Sequence, residues 1–237
     1  MRIARLVVAA SLTALAASSL SAQDADRSVK DGGVKVAGWK ARIDRRAMTQ
    51  GKTVNDSKFA AEAGGYRVSV GPAGNFWNPA NVAKGNYEVK ATFKELKMAA
   101  THPHSYGIFI GGRDLETEHE TLMYCIAYGN GTYAIKTFHG ADVKTLVAPT
   151  AHDALKKADA NGESTNTVGW RVKGGKASCM INGAEVKSFR KTEVVGANKL
   201  TSLNGIYGIR VSHNLELQIG PIAVSKWGLS HRGWKWA

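Results

Sequence analysis

The chain is long, basic and moderately apolar, with 237 residues, a formal net charge of +13 and 43% hydrophobic residues. Beyond the N-terminus no apolar stretch is long enough to cross a membrane, which excludes a transmembrane span in the mature chain. The sequence contains neither a phosphate-binding loop nor a Ser-His-Asp pattern with a nucleophile elbow, so phosphoryl and acyl transfer have no support.

Residues 1–22 are typical of a secretory signal peptide, because Arg2 and Arg5 precede a short apolar run that ends in small residues at Ala22. Cleavage after Ala22 removes 22 residues and two arginines, which leaves 215 residues and a net charge of +11. We therefore expect a periplasmic or secreted protein, with an uncleaved N-terminal anchor as the alternative. The expected partner of such a basic chain is a carbohydrate, an anionic glycan or another cell-envelope component and no nucleic acid. Scattered basic residues also fit a merely solubilising surface.

The mature chain begins with a polar stretch at residues 23–33, which we interpret as a flexible leader. A strand is predicted at 34–39 and a helical turn at 58–63. From residue 66 onward, apolar residues alternate with polar ones at a period of two, which predicts strands in close succession. We expect them at 66–70, 75–77, 87–93, 105–110, 121–128, 132–138 and 143–147, with a short helix at 153–158.

The predicted strand at 121–128 is apolar on both faces, which indicates a central position in its sheet. It contains Cys125, and the chain has one other cysteine, Cys179. An oxidising compartment permits a disulfide between them, and two buried free thiols are the alternative.

Residues 168–189 predict a meander of three strands, because two alternating runs are separated by Gly174 and Gly175 and the second run ends at Asn182 and Gly183. The side chains assigned to the core are Trp170, Val172, Cys179 and Ile181. Further on, strands at 206–212 and 215–219 predict a hairpin with its tip at His213 and Asn214.

About a dozen strands, glycine-rich turns and little helix predict an all-β fold, a two-sheet antiparallel jelly-roll sandwich. Its single domain is expected at residues 34–226. Residues 227–237 form a Trp-rich basic C-terminal tail.

The order and punctuation of the strands resemble the concanavalin A-like lectin/glucanase superfamily. Within it the chain most resembles the domain family named for 3-keto-disaccharide hydrolases. The motifs that carry the resemblance lie at residues 85–89, 106–112, 124–128, 166–172, 181–183, 205–211 and 219–224. The resemblance implies a sandwich, but such sandwiches include lectins, glycosidases and adhesion modules alike.

Acidic residues alternate with other residues at Asp114, Glu116, Glu118 and Glu120. Carboxylates on one strand face would suit a retaining glycosidase of the laminarinase-like kind. The residues between them are mostly polar, which favours a solvated loop. A calcium site formed by Asp114, Glu116 and Glu118 is the second alternative, because calcium prefers hard oxygen ligands.

His102 and His104 flank a single proline. The sequence places no third ligand nearby, so we interpret them as loop residues and not as metal ligands.

Aromatic rings stack on the apolar face of sugars, which makes Trp77, Tyr124 and Tyr128 candidates for a ligand site, with Arg113 beside them. Core packing is the alternative for these rings. Arg210, His213 and Asn214 are further candidates for contacting a saccharide or carboxylate. In the alternative, Asn214 supplies a positive φ angle to the tight turn, and Arg210 pairs with Glu216 across the hairpin.

The leading hypothesis is an exported, non-catalytic jelly-roll module that binds carbohydrate or a glycan-bearing partner and needs no cofactor. The alternatives are a hydrolase of glycosides or 3-keto-disaccharides, and a structural or interaction domain without a small ligand.

Overall fold

A computed structural model of the protein describes residues 25–99 and 101–227 and shows a sandwich of two β-sheets. This confirms the predicted two-sheet fold. The predicted signal peptide and the predicted C-terminal tail beyond Trp227 lie outside the described residues.

The first sheet has nine strands, and all of its pairs are antiparallel except that of β1 with β3. In spatial order it contains β1 (Gly33–Val34), β3 (Ser57–Glu62), β4 (Gly65–Val70), β15 (Glu216–Ile219), β6 (Asn86–Glu95), β11 (Ser164–Lys173), β12 (Lys176–Ile181) and β13 (Ala184–Arg190), with β16 (Ala223–Trp227) also paired to β6.

The second sheet has seven antiparallel strands, which in spatial order are β10 (Asp142–Ala151), β9 (Thr132–His139), β8 (Thr121–Tyr128), β7 (Ser105–Arg113), β14 (Gly205–Val211), β5 (Gly74–Ala83) and β2 (Lys40–Ile43). Helical structure in the described residues comprises α1 (Arg45–Thr49), α2 (Lys191–Val194) and a 3-10 turn at Val54–Asp56. None of the described helices is long and apolar enough to cross a membrane.

The core lies between the two sheets because strand side chains alternate between inner and outer faces. The inner faces meet through Trp170, whose indole Nε1 donates a hydrogen bond of 3.0 Å to the carbonyl of Ile108 in the opposite sheet. Cys125 and Cys179 also join the sheets, because they form a disulfide with their Cα atoms 6.0 Å apart. The sequence alone did not decide between this disulfide and two free thiols.

The meander predicted for residues 168–189 is present as β11, β12 and β13, which pair consecutively. The turn after β12 has φ angles of 50° at Asn182 and 88° at Gly183. Such left-handed conformations are the ones that asparagine and glycine adopt at low cost. The four side chains assigned to the core here are all buried.

Four local predictions are wrong. Of the strand predicted at 34–39, only Val34 lies in a strand, and residues 35–39 form none. Residues 58–63 contain no helical turn, because Phe59 is fully buried and its strand pairs with β4. Residues 153–158 contain no helix. The strands at 206–219 do not form a hairpin, because β14 and β15 belong to different sheets and the chain crosses between them at His213 and Asn214.

The part of the predicted leader that the structure describes contacts the sandwich. Arg27 donates hydrogen bonds from Nε to the carbonyl of Val70, at 2.9 Å, and from Nη2 to the carbonyl of Leu215, at 2.6 Å. These bonds place residues 25–27 beside the crossover between the sheets.

Candidate functional site

Two cavities of about 470 and 180 Å³ open near the end of the seven-stranded sheet where α1 begins. Both are lined by Asp44 and Arg46, so we treat them together and call them the rim groove. Asp44 directly precedes α1, and the larger cavity extends from there to Ser212 and His213, just beyond β14.

An ion pair between the buried Arg210 and the half-buried Asp44 forms the floor of the rim groove. Arg210 points outward from β14, and its Nη1 and Nη2 donate to the two carboxylate oxygens of Asp44 at 2.5 and 2.7 Å. The guanidinium carbon lies 5.3 Å from the ring centroids of both Tyr124 and Phe138. This geometry combines a bidentate carboxylate contact with cation–π contacts, which fixes the arginine firmly.

The electrostatics keep Arg210 charged. Burial alone would lower the pKa of Arg210, but the Asp44 carboxylate outweighs burial and raises the pKa above its ordinary value. Arg210 is therefore a permanent cation, largely neutralised by Asp44.

Glu120 lies beside this pair and has an unusual protonation equilibrium. Burial raises the pKa of Glu120 to about 7, although Arg42 and Arg210 partly counteract it. Its carboxylate oxygens lie 3.4 Å from Arg42 Nε and 3.5 Å from Asn75 Nδ2. Near neutral pH, a carboxyl group of this kind can hold a proton and donate it.

The structure does not support Trp77 and Tyr124 as sugar-stacking rings. Their exposed fractions are 1% and 3%, and both belong to a second apolar cluster on the outer face of the seven-stranded sheet. Leu115, from the loop between β7 and β8, packs into the same cluster and helps to cover it. Tyr128 is half-buried and Arg113 is exposed at the end of β7, and neither lines the rim groove.

The acidic run lies in a loop, and two of its carboxylates contact different basic side chains. Glu116 forms an ion pair of 2.7 Å with Lys40, and Glu118 lies 4.0 Å from Arg45. Asp114 has a φ angle of 53° in the turn that follows β7. The calcium site at these positions stays a prediction, and the neighbouring cations work against it.

His213 and Asn214 lie where the chain crosses between the sheets. His213 is 7% exposed, and its Nδ1 lies 3.3 Å from a carboxylate oxygen of Asp26. Asn214 has the predicted positive φ angle, at 55°, and its side-chain oxygen accepts a hydrogen bond from the backbone N–H of Arg27 at 2.8 Å.

The predicted pairing of Arg210 with Glu216 is wrong, since Glu216 instead lies 3.7 Å from Arg67 within the nine-stranded sheet. The two residues were expected to face each other across a hairpin that does not exist.

The sequence identified Arg210 and His213 as candidate residues but did not identify Asp44 and Asp26. Asp44 lies 166 positions from the arginine that it binds. No local sequence pattern marks Asp44. Its contact with Arg210 depends on how distant strands are placed in the sheet, which the sequence does not show.

No protein-family model matches the sequence, and no curated protein matches it. Solved structures do resemble the fold. A carbohydrate-binding module, CBM66 from Bacillus subtilis, superposes with a TM-score of 0.53 at 8% identity over 82% of this chain and 99% of that one. A Bacillus subtilis protein of unknown function with a galectin-like fold gives a TM-score of 0.54 at 13% identity over 78% and 88% of the two chains.

A Bacteroides ovatus mixed-linkage glucan GH16 protein, solved in complex with a G4G4G3G product, gives a TM-score of 0.52 at 8% identity over 79% of this chain and 94% of that one. These similarities support a two-sheet antiparallel β-sandwich fold. At such identities they concern the fold and leave open what this chain binds.

Proposed function

We propose that this protein is an exported, non-catalytic module that binds carbohydrate, with a preference for anionic glycans, in the rim groove. The observation that carries the proposal is the groove itself, an open cavity with charged and polar side chains in its lining and the Arg210–Asp44 pair at its floor. The similarity in fold to a carbohydrate-binding module and to a galectin-like protein is compatible with this function.

The chemistry of the groove suits a hydroxyl-rich, negatively charged ligand. Arg46, Gln50 and Lys52 line one side of the larger cavity, and Ser212 lines it near β14. Amide and hydroxyl groups bind sugar hydroxyls, and the two basic side chains attract carboxylates or sulfates. The net charge of the chain works in the same direction.

A glycan array at low and moderate salt tests the proposal, with isothermal titration for the best glycan. We expect uronic acid-containing or sulfated glycans to bind, and we expect binding to weaken with salt. Combined Arg46→Ala and Lys52→Ala changes should lower the affinity about tenfold, because each removes one charge contact worth roughly 0.5–1 kcal/mol.

Lys226→Ala is the matched control, since Lys226 is exposed on β16 of the other sheet. It should leave binding unchanged. If no neutral or acidic glycan binds, the proposal is wrong.

A hydrolase is the second candidate, and Glu120 is the observation that favours it. A buried carboxyl group with its pKa raised to about 7 is the usual character of a general acid in glycoside hydrolysis. The substrate would be a glycoside or a 3-keto-disaccharide.

Release of reducing ends from a panel of saccharides would test this activity. Turnover that is lost in Glu120→Gln and retained in the control Glu185→Gln, which changes an exposed residue on β13 of the other sheet, would replace the non-catalytic proposal. Turnover unchanged in Glu120→Gln would rule out Glu120 as the acid.

Export is tested independently by fractionation and N-terminal sequencing. We expect the mature chain to start at Gln23.

A further inference from the structure

Three histidines from two distant parts of the sequence, His102 and His104 in one and His213 in the other, converge beside the rim groove. The ring centroids of His104 and His213 are 4.3 Å apart, and His102 lies 5.2 Å from His104 and 6.1 Å from His213. One nitrogen from each ring can be chosen so that all three lie within 4.8 Å of one another. The structure thus supplies the third ligand that the sequence around His102 and His104 lacks.

The register of the seven-stranded sheet creates this cluster. Val211 of β14 pairs with Tyr106 of β7, and the backbone N–H of Ser212 donates to the carbonyl of Ser105 at 2.8 Å. The next residues in this register are His213, just beyond the end of β14, and His104, just before the start of β7. Their proximity is therefore fixed by backbone hydrogen bonds and not by the rotamers of flexible loops.

The cluster is also sheltered from water. His104 is 3% exposed, His213 is 7% exposed, and His102 is half-buried. Three imidazoles packed together with little access to water are better suited to bind a metal ion than to hydrogen-bond with solvent.

The carboxylate of Asp26 contacts the ring of His213. Asp26 lies 3.3 Å from Nδ1 of His213. The other nitrogen of that ring, Nε2, is therefore the one that can bind a metal ion. A carboxylate that binds the far nitrogen of a metal-ligating histidine orients the ring and raises its basicity. The position of Asp26 is set by its neighbour Arg27, which hydrogen-bonds to the carbonyls of Val70 and Leu215.

We propose that His102, His104 and His213 form a zinc site, with Asp26 as its supporting carboxylate. Zinc takes imidazole nitrogens at about 2.0–2.1 Å in a tetrahedral arrangement, which separates ligand nitrogens by about 3.4 Å. The observed spacing requires the rings to move together by at most about 1.4 Å, which small side-chain rotations provide. Three protein ligands leave a fourth position for water or a ligand group.

The donor set selects the class of metal. Neutral imidazoles suit zinc and its transition-metal neighbours, whereas calcium and magnesium require oxygen ligands. The site is also distinct from the calcium site predicted in the loop between β7 and β8. Because His213 and Asp26 line the larger cavity, the metal would lie at the end of the rim groove.

Isothermal titration of the metal-stripped, full-length protein without a polyhistidine tag tests the proposal, with Zn²⁺ as the probe. We expect one Zn²⁺ per chain, no loss of Zn²⁺ binding in excess Ca²⁺ or Mg²⁺, and visible absorption from four-coordinate Co²⁺ when cobalt replaces zinc. Zinc should also raise the melting temperature, because it binds the folded state.

The half-buried His102 allows the most informative variant. His102→Ala should weaken zinc binding at least about 100-fold, and Asp26→Asn should weaken it about tenfold. His139→Ala is the matched control, since His139 is exposed at the end of β9, and it should bind zinc as the wild type does. Absence of saturable zinc binding in the wild type would overturn the proposal, and so would equal affinity in His102→Ala and the wild type.

Discussion

Removal of the Asp44 carboxylate should destabilise the sandwich by about 3 kcal/mol, which is the low end of the cost of breaking a buried ion pair. The side chain of Arg210 is 8% exposed and is flanked by Tyr124 and Phe138. In Asp44→Ala the guanidinium therefore stays buried and loses both charge-assisted hydrogen bonds. The low end applies because the side chain of Asp44 is 30% exposed, so water partly replaces it.

Urea unfolding followed by tryptophan fluorescence, with the disulfide intact, measures this loss. A loss of about 3 kcal/mol corresponds to a fall in melting temperature of roughly 6–12 °C for a domain of this size. Glu116→Ala is the matched control, because it removes an ion pair with Lys40 in which both side chains are well exposed. Its cost should stay below about 1 kcal/mol.

A double variant separates the ion pair from packing. Asp44→Ala combined with Arg210→Met removes both charges and leaves a flexible apolar side chain between the two rings. We expect it to recover at least half of the lost stability, because no unpaired charge stays buried. If Asp44→Ala costs no more than Glu116→Ala, the pair does not hold the groove floor and the reasoning fails.

Two further predictions concern the core. Burial raises the pKa of Glu95 to about 7, so the folded state holds a proton that the unfolded state releases from about pH 4.5 upward. Stability should therefore fall by about 2–3 kcal/mol between pH 4.5 and 8, and urea titrations across this range should show a correspondingly smaller fall for Glu95→Gln. Replacing Cys125 and Cys179 with alanine removes a link between residues 54 positions apart and should cost about 4 kcal/mol. Dithiothreitol should lower the urea midpoint of the wild type and leave that of the double variant unchanged.

The sequence predicted the strands well because their signals are local. The two apolar faces of residues 121–128 correctly placed β8 inside its sheet. The turn at Asn182 and Gly183 correctly joined β12 to β13. Alternation says nothing about which sheet receives a strand, and for that reason β14 and β15 were wrongly paired as a hairpin.

The same limit explains the errors at the candidate site. Trp77 and Tyr124 do point to the outer face of their sheet, as alternation requires, but Leu115 of the loop after β7 packs into the apolar cluster on that face. A loop that covers a sheet cannot be predicted from the period of the strand beneath it. Arg210 was a sound candidate because a charged residue on a strand between buried neighbours needs a partner, although its partner Asp44 lies 166 positions away.

The N-terminal residues link the two proposed sites physically. Asp26 supports His213, which both lines the rim groove and belongs to the histidine cluster. A metal on that cluster would add positive charge at the end of a groove already lined by Arg46 and Lys52. Charges this close favour the same anionic ligands, and any coupling between zinc and glycan must be reciprocal. Glycan affinities are therefore comparable only between preparations with the same zinc content.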